Sequence, residues 1–250
     1  MITLNSISKS FPKTGFVLDR FSLKVEQGIF LVLYGPSATG KSTILNIIAG
    51  LDKPDNGSVE WGGTNGDPII GYQFQNYEAT LFPWLSNESN IEMPLKVNKK
   101  LNSKERMQQV YQTVERLRIK IPMNSQPFKL SGGGKQKVAL TRALISHPDI
   151  LLLDEPFNSL DFNDREFMQQ EIVRIWREFG LTVIFVTHDL DEALIVGQKL
   201  LIIGGKPADV IDHPLMIDLP YPRDTNVKMS EAYFRLRVKA IQLFEKAKHG

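Results

Sequence analysis

The 250-residue chain contains no cysteine. That excludes disulfides and thiolate metal sites, and it fits a reducing compartment. No apolar run approaches the roughly 18 residues a membrane-spanning helix needs. Met1 to Ser10 is polar and strand-like, without the charged, apolar, then small-residue order of a leader. The expectation is a chain that is neither secreted nor membrane-spanning by itself. An excess of one charge is missing too: 30 Lys and Arg nearly balance 28 Asp and Glu, so the basic footprint of a dedicated nucleic-acid binder is absent. There is no internal repeat. What is present, 42% hydrophobic residues, suffices for one substantial core, so residues 1–250 are read as a single unit.

Short runs rich in Val, Ile, Leu and Phe at Ile29 to Tyr34, Ile150 to Leu153, Val183 to Val186 and Leu200 to Ile203 predict strands buried on both faces, hence a mostly parallel sheet. Helical periodicities lie between them: Met107, Val110, Val114 and Leu117 behind a Ser103 cap, and Met168, Ile172, Ile175 and Phe179 behind an Asp161 turn. The alternation predicts an α/β fold. Residues 87–145 read as wholly helical, a subdomain inserted into that core. Residues 205–250 read as a proline-containing extension ending in an amphipathic helix, with a Ser230 cap and Tyr233, Leu236, Ala240, Leu243 and Ala247 on one face.

Gly35-Pro36-Ser37-Ala38-Thr39-Gly40-Lys41-Ser42-Thr43 follows a predicted strand and opens a helical run, the context a phosphate-binding P-loop requires. Backbone N–H groups freed by Gly35 and Gly40 would surround phosphate oxygens, with the helix dipole adding to the attraction. Lys41 would pair with the β and γ phosphates of a nucleotide, Ser42 would offer its hydroxyl to Mg²⁺, and Thr43 would bond phosphate beside it. The strand Ile150 to Leu153 delivers Asp154 and Glu155 to its C-terminal end, where open α/β sheets bind ligands. Asp154 is placed to hold Mg²⁺ through water. Glu155 could orient and polarise an attacking water.

Leu130-Ser131-Gly132-Gly133-Gly134-Lys135-Gln136 stands about twenty residues before that acidic strand. It resembles the signature loop of ABC ATPases, and other motifs of that family appear in the family's order across nearly the whole chain. Gln75 resembles the Q-loop glutamine, Ser159-Leu160-Asp161 the D-loop, His188 the switch histidine, and Phe11 the aromatic that stacks on adenine. Alone, each is weak, since a lone Phe is more often core and a strand-end His is usually structural. The resemblance implies a RecA-like P-loop NTPase core with a mostly parallel sheet, an N-terminal antiparallel β region and an inserted helical subdomain. It implies ATP and Mg²⁺ as cofactors, with Gln75 touching the metal or the attacking water and His188 touching the γ-phosphate. It also implies a head-to-tail dimer in which Ser131, Gly132 and Gly133 close over the partner's ATP. Leu81 to Leu85, Thr187 to Leu194 and Ile217 to Asp224 are similar to importer ATPases of the nitrate, sulfonate and taurine type. The implied partners are a transmembrane permease, reached through Phe82 and Trp84, and indirectly a solute-binding protein, with the chain peripheral on the cytoplasmic face of the membrane.

Two departures stand out: Gly134 where such importers often have Met, and Ala38 where the P-loop commonly has glycine. Both are expected to be tolerated, because the serine and two glycines that would meet phosphate remain. A small-molecule kinase would leave the signature loop and Asp-Glu pair idle. A soluble ABC protein of repair or translation usually carries two ATPase units or a long coiled-coil insertion. A regulatory module with weak hydrolysis stays open on account of Gly134.

Overall fold

The computed structural model of the chain describes residues 1–12, 15–62, 67–97, 101–205, 207–210 and 214–249. In chain order, β1 (Ile2–Phe11) pairs antiparallel with β2 (Gly15–Val25), and β3 (Phe30–Tyr34) leads through the glycine-rich loop into α1 (Lys41–Ile48). Next come β4 (Asn56–Trp61), β5 (Ile70–Gln73) and α2 (Tyr77–Thr80), followed by α3 (Asn87–Val97), α4 (Ser103–Arg116) and α5 (Gly132–Leu144). The remainder is β6 (Ile150–Asp154), α6 (Phe162–Phe179), β7 (Thr182–Thr187), α7 (Leu190–Val196), β8 (Lys199–Gly204), β9 (Asp209–Val210), β10 (Leu215–Met216), α8 (Thr225–Lys228) and α9 (Glu231–His249).

The predicted strands form the centre of the main sheet. Its order is β10-β8-β3-β7-β6-β5, parallel from β8 to β5, with β9 and β10 both antiparallel to β8. A second, antiparallel sheet has the order β2-β1-β4. Because side chains alternate along a strand, each central strand feeds two layers. Phe30, Val32, Leu151, Leu153, Val183 and Phe185 pack with Met168, Ile172 and Trp176 of α6, Leu194 of α7 and Tyr233 and Ala240 of α9. Leu31, Leu33, Ile150, Leu152, Ile184 and Val186 pack with Ile44, Leu45 and Ile48 of α1 and with Ile2, Leu4 and Leu18 of the small sheet. Each Val, Leu, Ile, Phe or Met among them contributes about 1.5–3 kcal/mol on full burial. Burial on both faces is why these runs read as continuous apolar stretches.

Residues 87–145 are less uniformly helical than their pattern predicts. Helix α4 ends at Arg116, Arg118 has a left-handed φ of 52°, and the chain to Ser131 is irregular apart from a 3₁₀ turn at Pro127–Lys129. Pro122 and Pro127 cannot donate helical hydrogen bonds, and the buried Asn87 amide donates to the Pro122 carbonyl and Ser125 Oγ at 2.9 and 3.0 Å instead. Nor does Ser103 cap α4. Asn102 does, accepting from Glu105 N at 3.0 Å while the Glu105 carboxylate accepts from Asn102 N at 2.7 Å. The Asp161 cap is present, its Oδ1 accepting from Asp164 N at 2.8 Å. The Ser230 cap is present too, its Oγ accepting from Tyr233 N at 3.2 Å. On α9, Tyr233 and Ala240 are buried, and Leu236 and Leu243 pack against the core; the side chain of Ala247 lies outside the described residues. Among the described residues no helix is long and apolar enough to cross a membrane.

Candidate functional site

Parallel register brings the sequence-predicted residues to one rim of the sheet. Tyr34 pairs with Thr187 and Asp154 with Val186, so the next residues along, Gly35, Glu155 and His188, leave the sheet side by side. Gln73 is opposite Leu153, which sets Gln75 just beyond the same edge. Between them is a cleft of about 270 Å³ whose walls include Phe16, Lys41, Ser42, Gln75 and Glu155.

The phosphate loop is shaped by sterics. A Cβ on Gly35 would stand 2.1 Å from the Ile203 carbonyl oxygen, so only glycine fits. Gly40 has φ +87° and lies against Val17, where a Cβ would fall 2.8 Å from Cγ1. Ala38 also has a left-handed φ, 61°, without glycine's freedom. Lys41 is buried, and its Nζ donates to the loop's own carbonyls, Gly35 O at 2.8 Å and Pro36 O. Burial lowers its pKa, opposed by the attraction of Glu155 and Asp154. A cation so placed gains a matching charge when a phosphate enters.

Asp154 is buried, and burial raises its pKa, opposed by a hydrogen bond from the Ser42 hydroxyl, with Glu155 adding to the rise and Lys41 resisting it. Its Oδ1 is buried without a partner. Such an orphaned oxygen beside a hydroxyl is the donor set a hard, oxygen-loving divalent cation takes together with water and phosphate. Among the described residues no cluster of three or more His, Cys, Asp or Glu could hold a metal alone. The Asp154 carboxylate and the Ser42 hydroxyl fit Mg²⁺ that draws its remaining oxygens from phosphate and water.

Glu155 is gripped from three directions. Its Oε2 accepts from Gln75 Nε2 at 3.0 Å and from Asn158 Nδ2, and its Oε1 lies 3.2 Å from His188 Nδ1. Its backbone N donates to the Val186 carbonyl at 3.0 Å, and its φ of 47° is left-handed. A non-glycine residue in that region costs about 1 kcal/mol or more, and such strain concentrates at functional positions. The result is a buried carboxylate with a fixed aim next to the phosphate loop.

The signature-like loop is elsewhere. Ser131 caps α5, its Oγ accepting from Gly134 N at 3.2 Å, and no acidic residue occupies the first turn. Gly132 and Gly133 lie against Tyr77, Ser159 and Leu160, where a Cβ on Gly133 would be 3.0 Å from Leu160 Cδ2. At Gly134 a Cβ would stand 3.1 Å from Leu130 Cβ. Phe11 is exposed, with the Lys9 ammonium 5.5 Å from its ring centre, and the aromatic on the wall of the cleft is Phe16. Sequence reasoning missed Phe16 and Asn158. The signal for Asn158 was its place between Glu155 and the Ser159-Leu160-Asp161 turn.

A parallel α/β sheet carrying a glycine-rich phosphate loop and paired strand-end carboxylates defines a P-loop NTPase. The family model described as "ABC transporter" matches residues 18–158, and the chain belongs to that family as an ABC-type ATPase. It is 39% identical to the aliphatic sulfonates import ATP-binding protein SsuB of Bacillus cereus (strain ZK / E33L), over 98% of this chain and 96% of the relative. The corresponding protein of Bacillus subtilis (strain 168) is 40% identical over 98% and 94%. The bicarbonate transport ATP-binding protein CmpC of Synechococcus elongatus (strain ATCC 33912 / PCC 7942 / FACHB-805) is 36% identical over 99% of this chain, which spans 38% of that longer protein. Among solved structures, the dimeric bacterial ABC transporter cassette MJ0796 superposes with a TM-score of 0.78 at 31% identity, over 88% of this chain and all of that one. The same cassette in a post-hydrolysis state bound to ADP and Pi gives 0.77 at 30% identity, with the same coverage.

Proposed function

We propose that this chain is the ATP-hydrolysing subunit of a membrane importer for small organic or inorganic oxyanions, of the sulfonate, nitrate and bicarbonate kind. Lys41 and the loop Gly35 to Thr43, through the N–H groups of every residue but Pro36, hold the phosphates, and an aromatic from β1 or β2, Phe11 or Phe16, faces the base. Glu155 polarises the attacking water, aimed by Gln75 and Asn158, and His188 contacts the γ-phosphate. Mg²⁺, held by Ser42 and Asp154 with Gln75 nearby, would neutralise charge on the phosphate oxygens. Ser131, Gly132 and Gly133 lie outside the cleft walls, and this separation supports a head-to-tail dimer in which they meet the partner copy's ATP. A transmembrane permease docks beside Trp84 and receives solute from a separate binding protein, with this chain on the cytoplasmic face. The segment carrying α3, α4 and α5 is its lever, and α9 packs on the core through Tyr233, Leu236, Ala240 and Leu243.

The observation carrying the reading is the three-way grip on Glu155 beside Lys41. The test is the solution mass of the Glu155→Gln protein with and without Mg-ATP. Blocked hydrolysis should trap a dimer with ATP and leave a monomer without it. A monomer despite bound ATP would refute self-pairing through Ser131.

A further inference from the structure

The C-terminal helix, α9, bonds to the first turn of α7, a few residues after His188. Asp191, in the first turn of α7, presents Oδ1 to two donors on α9: the Tyr233 hydroxyl at 2.8 Å and Arg237 Nε at 2.7 Å. Tyr233 is buried, so its hydroxyl is committed to this contact, and the Ser230 cap fixes the start of its helix. Burial opposes ionisation of Asp191, but the bonds from Arg237 and Tyr233 outweigh it and hold the carboxyl below the ordinary aspartate range.

There is little slack between Asp191 and His188. Asp189 Oδ1 accepts from Asp191 N at 2.9 Å and Glu192 N at 3.1 Å, and Asp189 N donates to Thr187 Oγ1 at 3.0 Å. The segment carrying His188 is thus tied to β7 on one side and to the latched turn of α7 on the other. Helix α9 also touches the strand before the phosphate loop, since the Phe244 ring lies 5.1 Å from that of Tyr34, the residue preceding Gly35.

We infer that Tyr233 and Arg237 are positioning residues for hydrolysis, holding His188 against Glu155 through Asp191, so that α9 sets the rate of the chemical step. This rests on the reading of His188 given under the proposed function. The test compares steady-state ATP hydrolysis by the full chain for Tyr233→Phe, Arg237→Gln, their combination, Arg237→Lys and His188→Ala, with the ring signals of His188 followed by NMR. The double variant should lose kcat about tenfold, with KM for ATP within about twofold, and the His188 signals should move. Arg237→Lys should recover much of the rate by restoring the positive charge that glutamine lacks. Arg237 is partly exposed and Tyr233→Phe keeps the ring, so both singles should fold, which thermal melts check. A slow His188→Ala enzyme beside a double variant with wild-type kcat and unmoved His188 signals overturns the latch. A His188→Ala enzyme with wild-type kcat overturns the reading of His188 itself, and the latch with it.

Discussion

Glu192 is a buried carboxyl outside the reacting centre, and replacing it with glutamine should stabilise the protein progressively as pH rises above 4.5, reaching the full gain above about 7. It is 6% exposed on the inner face of α7, with Gln169 Nε2 3.5 Å from its Oε1. Burial lifts its pKa from 4.5 to about 7. A hydrogen bond from Thr187 opposes the rise, Asp189 reinforces it, and Gln169 and Arg165 oppose it. That displacement is worth about 3 kcal/mol at ~1.4 kcal/mol per pH unit. The folded state holds this proton more tightly than the unfolded state does. Stability from Glu192 is therefore full below pH 4.5, falls as pH rises toward about 7, and levels off above that. Glutamine keeps an acceptor for Thr187 and never ionises. The Glu192→Gln protein should match the wild type at pH 4.5 and exceed it by about 1.5–3 kcal/mol at pH 8, a melting-temperature gain of about 3–10 °C. Urea unfolding at half-unit pH intervals measures the difference between the two proteins, in which groups titrating alike in both cancel. A difference independent of pH would refute the assignment.

Four further outcomes are expected. Ala38→Gly should relieve the positive φ and stabilise the protein by up to about 1 kcal/mol, offset by glycine's extra freedom when unfolded, with KM for ATP unchanged; destabilisation in a melt would contradict the strain argument. Phe16→Ala should weaken binding of a fluorescent ATP analogue about 3–10-fold, and the same titration of Phe11→Ala decides which ring faces the base, since full affinity in Phe16→Ala removes it from the site. Trp84 is 74% exposed on a loop held independently by Asn90, whose amide bonds the Phe82 N–H and the Phe82 and Ser86 carbonyls. Trp84→Ala should therefore leave ATP binding intact and reduce permease co-purification at least ~10-fold, and undiminished co-purification excludes Trp84 from docking. Gly134→Met should leave turnover within about threefold, because Ser131, Gly132 and Gly133 are unchanged; a tenfold rise would mean that glycine impairs the loop.

How far the site could be read from residues alone follows from how local each part is. The phosphate loop is nine consecutive residues between a strand and a helix, and the acidic pair ends one apolar run, so both were legible without knowledge of the fold. The grip on Glu155 was not. Gln75 is 80 residues away from it and meets it only because β5, β6 and β7 are parallel and in register. Asn158 sits in a turn whose direction depends on the left-handed φ of Glu155, which no composition rule anticipates. Asn102 and Ser103 are both good caps by residue type, and the extended backbone at Asn102 decides between them. Helix α9 shows the limit most plainly. Its apolar period correctly names Tyr233, Leu236, Ala240 and Leu243 as the packed face. Periodicity tells which residues turn inward but not what they meet. Arg237, polar and off that period, carries no signal in the apolar pattern, and its partner is set by α7, which places Asp191 Oδ1 2.7 Å from its Nε. Polar residues bordering an amphipathic face thus carry specificity that the apolar pattern cannot, because one charge-assisted bond chooses among neighbours that hydrophobic packing treats alike.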